Sequence, residues 1–192
     1  VKTGRPSLAK NIISSLQSDY LDKNLFIKQL DKKPNETLTD IIINNATDGL
    51  AEALFDIAQA LKNDSVNEPA VIFSQLALYM RPNFAAAQLL LGELLDRRRE
   101  YSYAIEQFTA IKPKSAYFLT AQLQIAKSWG RDNKLRKAIN LLEKVSNDNP
   151  DDYRPFIQIG DLHRSLKIWD KAILAYSKAL SLIPEVQASD WI

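Results

Sequence analysis

The sequence has no cysteine, one histidine, one methionine and only five glycines in 192 residues. Without cysteine there is no disulfide framework, no thiolate metal site and no thiol nucleophile. The single histidine, His163, rules out a two-histidine metal site and leaves a histidine-centred triad without a second candidate. No Gly-rich stretch is present to cradle a phosphate. Scarce glycine, with proline mostly where helices would start or stop, favours an all-helical chain. Neither sign of charge dominates: 25 Lys and Arg face 23 Asp and Glu, a net charge of +2. That balance is too even to argue by itself for a nucleic-acid or anionic-membrane surface. No apolar run approaches the roughly 18 residues needed to cross a bilayer, and no signal-peptide pattern is visible. The chain opens at Val1 and stops at Asp190-Trp191-Ile192 without a helix stop, which reads as a piece of a longer protein.

What the sequence does have is periodicity. Hydrophobic residues make up 46 % and charged residues 25 %, ordinary for a soluble protein. The stretch Tyr153 to Pro184 carries Phe156-x2-Ile159-Gly160-x2-His163, then Ala172-x3-Tyr176-x2-Ala179, then Pro184. Stepping back from Ala172 by 34 residues reaches Ala138, Ala104 and Ala70. The same step from Gly160 reaches Ala126, Gly92 and Ala58; from Ile159 it reaches Ile125, Leu91 and Ile57. Small residues at these places let paired helices approach, while Phe108, Trp129, Phe156 and Tyr176 fill the space beside them.

This pattern resembles the tetratricopeptide repeat (TPR), a helical hairpin of about 34 residues, with Phe156 in place of Trp and His163 in place of Tyr. The resemblance implies an all-α fold: a TPR helical-hairpin solenoid (right-handed superhelix) with four full repeats, 51–84, 85–118, 119–152 and 153–186, plus an N-terminal partial repeat. Residues 1–50 read as helix B of an upstream repeat up to about Ser18, a short helix around Leu25 to Leu30, and a loop. Thr37 to Ile43 is ambiguous between a short helix and extended chain. Residues 187–192 read as the start of a further repeat. Asp151 and Asp152 are N-cap candidates, Pro155 and Pro69 suit first helical turns, and Asp132 or Asn133 and Ser165 to Lys167 mark turns. A narrower resemblance, carried by Leu76 to Pro82, Leu89 to Leu95 and Gly160 to Arg164, is to large bacterial multi-TPR proteins. It implies a periplasmic or envelope setting.

In TPR proteins, repeat positions 2, 5, 9 and 12 of the first helix line a concave groove. Here the candidate groove residues are Glu52, Phe55, Gln59 and Lys62 in the first repeat, and Leu89, Glu93 and Asp96 in the second. Leu123 and Lys127 follow in the third, and Arg154, Ile157, Asp161 and Arg164 in the fourth. An apolar stripe at position 5 then lies beside a mixed-charge stripe, a surface suited to a protein or peptide segment. The competing reading is that position 5 only completes packing between neighbouring first helices. No Asn stands at position 9 and no Lys at position 5, which argues against the carboxylate clamp of chaperone-binding TPRs.

The expected function is therefore a non-enzymatic protein-interaction scaffold with no cofactor, no metal and no nucleic-acid partner. The alternatives are a spacer within a longer solenoid, its groove unused or filled by its own chain, and the arm of an enzyme whose catalytic domain lies elsewhere. His163 occupies a packing slot of the repeat, so a catalytic role is not expected of it. Arg97 to Arg99 and Lys134, Arg136 and Lys137 read as solvated turns. Asn35-x-Thr37, Asn45-x-Thr47 and Asn63-x-Ser65 match the glycosylation triplet by pattern alone. Open solenoid ends expose apolar faces, so homodimers through them are expected.

Overall fold

The computed structural model describes residues 45–63 and 67–183. The expectations for residues 1–44 and 187–192 lie outside the described residues. Those described form eight helices and no strand: α1 (Ala46–Leu61), α2 (Glu68–Met80), α3 (Ala85–Arg97), α4 (Tyr101–Thr109), α5 (Phe118–Arg131), α6 (Leu135–Asp148), α7 (Arg154–Ser165) and α8 (Trp169–Leu182). The all-helical expectation holds. The chain falls into two compact units that divide between Ala121 and Gln122, within α5.

In the first unit α1 packs on α2, α2 on α3, and α3 on α4. Its small residues do what their spacing implied: Ala58, Ala70 and Ala104 are fully buried, and Ala51 and Ala77 are buried with them. Ala51, Ala77, Phe84, Ala86 and Ala87 form one apolar cluster, with Leu54, Phe55, Leu78, Met80 and Tyr117 against it. α3 is buried on nearly every side, Gln88 and Asp96 included. Gln88 is satisfied by donating Nε2–H to the carbonyl of Pro82 at 3.0 Å. In the second unit α6 packs on α7 and α7 on α8. There Ala138, Leu142, Val145, Ala172, Ala175 and Ala179 are buried.

Phe108 lies against Gly92 in the first unit, and a Cβ at Gly92 would stand 2.4 Å from its ring. Tyr176 takes the same place over Gly160, where a Cβ would stand 2.5 Å from the ring. A methyl at either place would have to displace the ring, which lies on the helix backbone.

α1 starts at Ala46. The cause is Asn45, whose side-chain oxygen accepts the Asp48 N–H at 2.8 Å and caps the helix. Asn45 is thus used as a cap, an ample reason for its place in that triplet. The N-cap of α7 is Tyr153, not either of the expected aspartates; Asp152, one residue earlier, accepts the Arg154 N–H at 2.9 Å. Asp151 is exposed at the same turn. Pro69 and Pro155 both sit in first helical turns.

Three of the turns between paired helices share one device. Arg99, Asn133 and Lys167 adopt φ of 62°, 57° and 59°, the left-handed region. At each, the next residue's N–H reaches back to close the helix: Glu100 to Leu95, Lys134 to Trp129 and Ile168 to His163, at 3.0, 2.8 and 2.9 Å. This is the Schellman closure, which usually carries glycine. Asn tolerates it, but Arg and Lys are strained there. Lys167→Gly is therefore expected to raise stability by about 0.5–1 kcal/mol, read as a higher denaturant midpoint at unchanged slope.

Candidate protein-binding surface

The structure puts the candidate groove residues on helix faces of the two units. Glu52, Phe55 and Gln59 of α1, with Lys62 at its C-cap, recur at steps of three and four and share one face. All four are half-buried. On α7, Arg154, Ile157, Asp161 and Arg164 do the same; the first two are half-buried and the last two exposed. Lys127 of α5 is exposed.

The middle of the expected apolar stripe is not open. Leu89 is fully buried and Leu123 nearly so, and Asp96 is buried as well. At these positions the packing reading describes the side chains better. Their chemistry could not separate the two, because a leucine at position 5 suits a helix contact and a ligand contact equally. A glutamate at Leu89 would put a charge into the core, so that position cannot test ligand binding.

Several polar members already have partners. Glu52 Oε1 lies 2.7 Å from Arg81 Nη1. The Arg81 guanidinium sits 4.4 Å from the Phe84 ring centre, and Phe84 meets Phe55 at 5.0 Å with the rings tilted by 54°. The result is a stack of Glu52, Arg81, Phe84 and Phe55 that ties the end of α2 to α1. Arg81 was not among the expected site residues. Its signal was the run Arg81-Pro82-Asn83-Phe84, in which a cation lies near an aromatic across a tight turn. On α7, Arg154 grips the Asp152 carboxylate with Nε and Nη2, the shortest contact being 2.6 Å. Asp161 Oδ1 accepts from Tyr176 Oη at 2.8 Å and from Arg164 Nη2 at 3.2 Å. Burial first, then the Asp161 carboxylate, push the Tyr176 phenol above its ordinary range, and Arg164 works against them.

The basic turns are also committed locally. Arg98 pairs with Glu68 at 2.8 Å and Glu100 at 2.7 Å. Arg97 donates to the Lys62 carbonyl at 2.9 Å, and Lys134 pairs with Asp132 at 2.6 Å. His163 is buried in its packing slot and its Nδ1 has no hydrogen-bond partner. No group of three metal-ligating side chains occurs among the described residues, and none of their helices is long and apolar enough to cross a membrane.

Set beside known proteins, this arrangement is a TPR-like helical repeat. No protein-family model matches the chain, and no curated sequence matches it significantly. Solved structures do. A crystal structure of MamA, a TPR-like repeat protein, superposes with a TM-score of 0.60 at 17 % identity, over 98 % of this chain and 94 % of that one. MamA from residue 41 to its end, of Desulfovibrio magneticus RS-1, gives 0.59 at 18 % identity, over 94 % and 87 %. A structure of MamA AMB-1 gives 0.54 at 11 % identity, over 93 % and 99 %. At such identities the likeness concerns the fold.

Proposed function

We propose that this chain is a non-enzymatic scaffold that holds a protein or peptide segment along the groove faces of its first helices. The observation that carries the reading is the pair of faces on α1 and α7. Each has an apolar side chain at position 5, Phe55 or Ile157, half-open and flanked by polar residues at steps of three and four. The internal pairs of Glu52, Arg154 and Asp161 hold those polar groups in place before any ligand arrives, which lowers the ordering cost of binding. A bacterial envelope setting belongs to the same proposal, on the resemblance to large multi-TPR proteins. The partner class extends to a second copy of the chain.

The burial of Leu89 and Leu123 favours a second reading, a spacer whose central groove positions are spent on packing. A peptide-display selection on the immobilised chain separates the two. The scaffold reading expects enriched peptides that lose at least tenfold in affinity for a Lys127→Glu, Ile157→Gln variant whose melting curve matches the parent. No enrichment, or peptides indifferent to the variant, would support the spacer.

A further inference from the structure

The last of the described helices, α8, leaves open a face that the earlier second helices cover. Val71 of α2 is 5 % exposed, and Ile105 of α4 and Ile139 of α6, at the same place by steps of 34, are half-buried. α2 packs on α3 and α6 on α7, so each of these two second helices is covered by the helix after it. Ile173 of α8 is the next in the series and is 62 % exposed. Trp169 and Leu180 on the same stripe are 57 % and 66 % exposed. Leu166 and Ile168 at the adjoining turn add to the patch.

We propose that this face pairs with the same face of a second copy, α8 against α8 and antiparallel. The spacing supports it. Trp169, Ile173, Tyr176 and Leu180 are separated by four, three and four residues, which is the seam of a two-helix coiled coil. That spacing reads the same in both directions. An antiparallel copy therefore sets Trp169 against the partner's Leu180 and Ile173 against the partner's Tyr176, as an isologous contact requires. Tyr176 is placed at the edge of this seam by its bond to Asp161 and its packing on Gly160. Area supports it too. Five open apolar side chains at roughly 100 Å² each give on the order of 500 Å² per copy, against about 800 Å² in a standard interface. That is at the upper end of the largest apolar patch on an ordinary monomer, about 300–600 Å², and small for an obligate dimer, so the association is weak and reversible.

The test is sedimentation equilibrium of the 192-residue chain from about 1 to 200 μM, the range in which a sub-standard interface equilibrates. The expected result is a monomer–dimer equilibrium that weakens at least tenfold in Ile173→Glu and in Trp169→Glu. Leu174→Glu, on the shoulder of the helix away from the seam, should leave it unchanged. Ile173 and Trp169 face solvent in the single copy, so these variants should keep the parent's circular dichroism spectrum. A chain that stays monomeric throughout overturns the proposal, as does a dimer indifferent to Ile173→Glu or equally weakened by Leu174→Glu. A parent monomer whose truncation after Ile183 dimerises would show that residues 184–192 cover the face, and would overturn it for the intact chain.

Discussion

Gly92→Ala should destabilise the chain by about 1–3 kcal/mol, although alanine is the better helix former. The added methyl would stand 2.4 Å from Phe108 Cε1 and 2.7 Å from Cδ1 and Cζ. Phe108 is fully buried, so the ring has nowhere to go without displacing its neighbours. Helix propensity returns at most about 1 kcal/mol, so overpacking wins. The equivalent places supply the control. Sixteen residues separate Gly92 from Phe108, Gly160 from Tyr176, Ala126 from Leu142 and Ala58 from Ser74. Glycine accompanies a ring, and alanine accompanies something smaller. Phe108→Leu in the Gly92→Ala background should therefore recover most of the loss, giving a coupling of roughly 1–2 kcal/mol between two residues that each harm the protein when changed alone. Urea titrations of the four proteins measure it, and additive losses would show that the ring and the glycine are independent. Gly160→Ala should cost less, under about 1 kcal/mol, because Tyr176 is half-buried and its ring can swing outward.

That pairing explains which parts of the molecule the sequence made legible. Contacts that demand an extreme of size leave a mark. Only Ala or Gly fits at 58, 92, 126 and 160, or at 70, 104, 138 and 172, so the period of 34 and the helical hairpin could be read directly. Leu89 and Leu123 leave no such mark, because leucine is compatible with either fate; the structure buries both. The left-handed turn residues were half-legible: Asn133 announces itself, but Arg99 and Lys167 are poor choices chemically and became visible only through their φ. Arg81 was half-legible for another reason: its nearness to Phe84 shows in the sequence, but its ion pair does not. Its role depends on Glu52, 29 residues away, and on how one helix end meets another helix. The open stripe of Trp169, Ile173 and Leu180 was hidden because its residues look like core. An apolar position is exposed only relative to a neighbour that does not cover it.

Ala104→Leu and Ala138→Leu carry the second large expected effect, about 1–3 kcal/mol each. Both alanines are fully buried, on α4 and α6 respectively. Leucine adds three carbons where the helix surface is already enclosed, and interiors are packed too densely to absorb them without moving a helix. The two changes lie in different compact units, Ala104 in the first and Ala138 in the second. Mutations without shared partners add to within a few tenths of a kcal/mol, so the double variant should lose the sum, about 2–6 kcal/mol. For a chain whose whole stability is of the order of 5–15 kcal/mol, the upper part of that range leaves it partly unfolded at room temperature. Calorimetry of the two single variants adds a finer reading. If the units unfold separately, each substitution should lower one transition and leave the other in place. If they unfold together, both should lower a single transition. Melting curves of both variants identical to the parent's would mean that these positions do not pack as described, and the 34-residue register would fall with them.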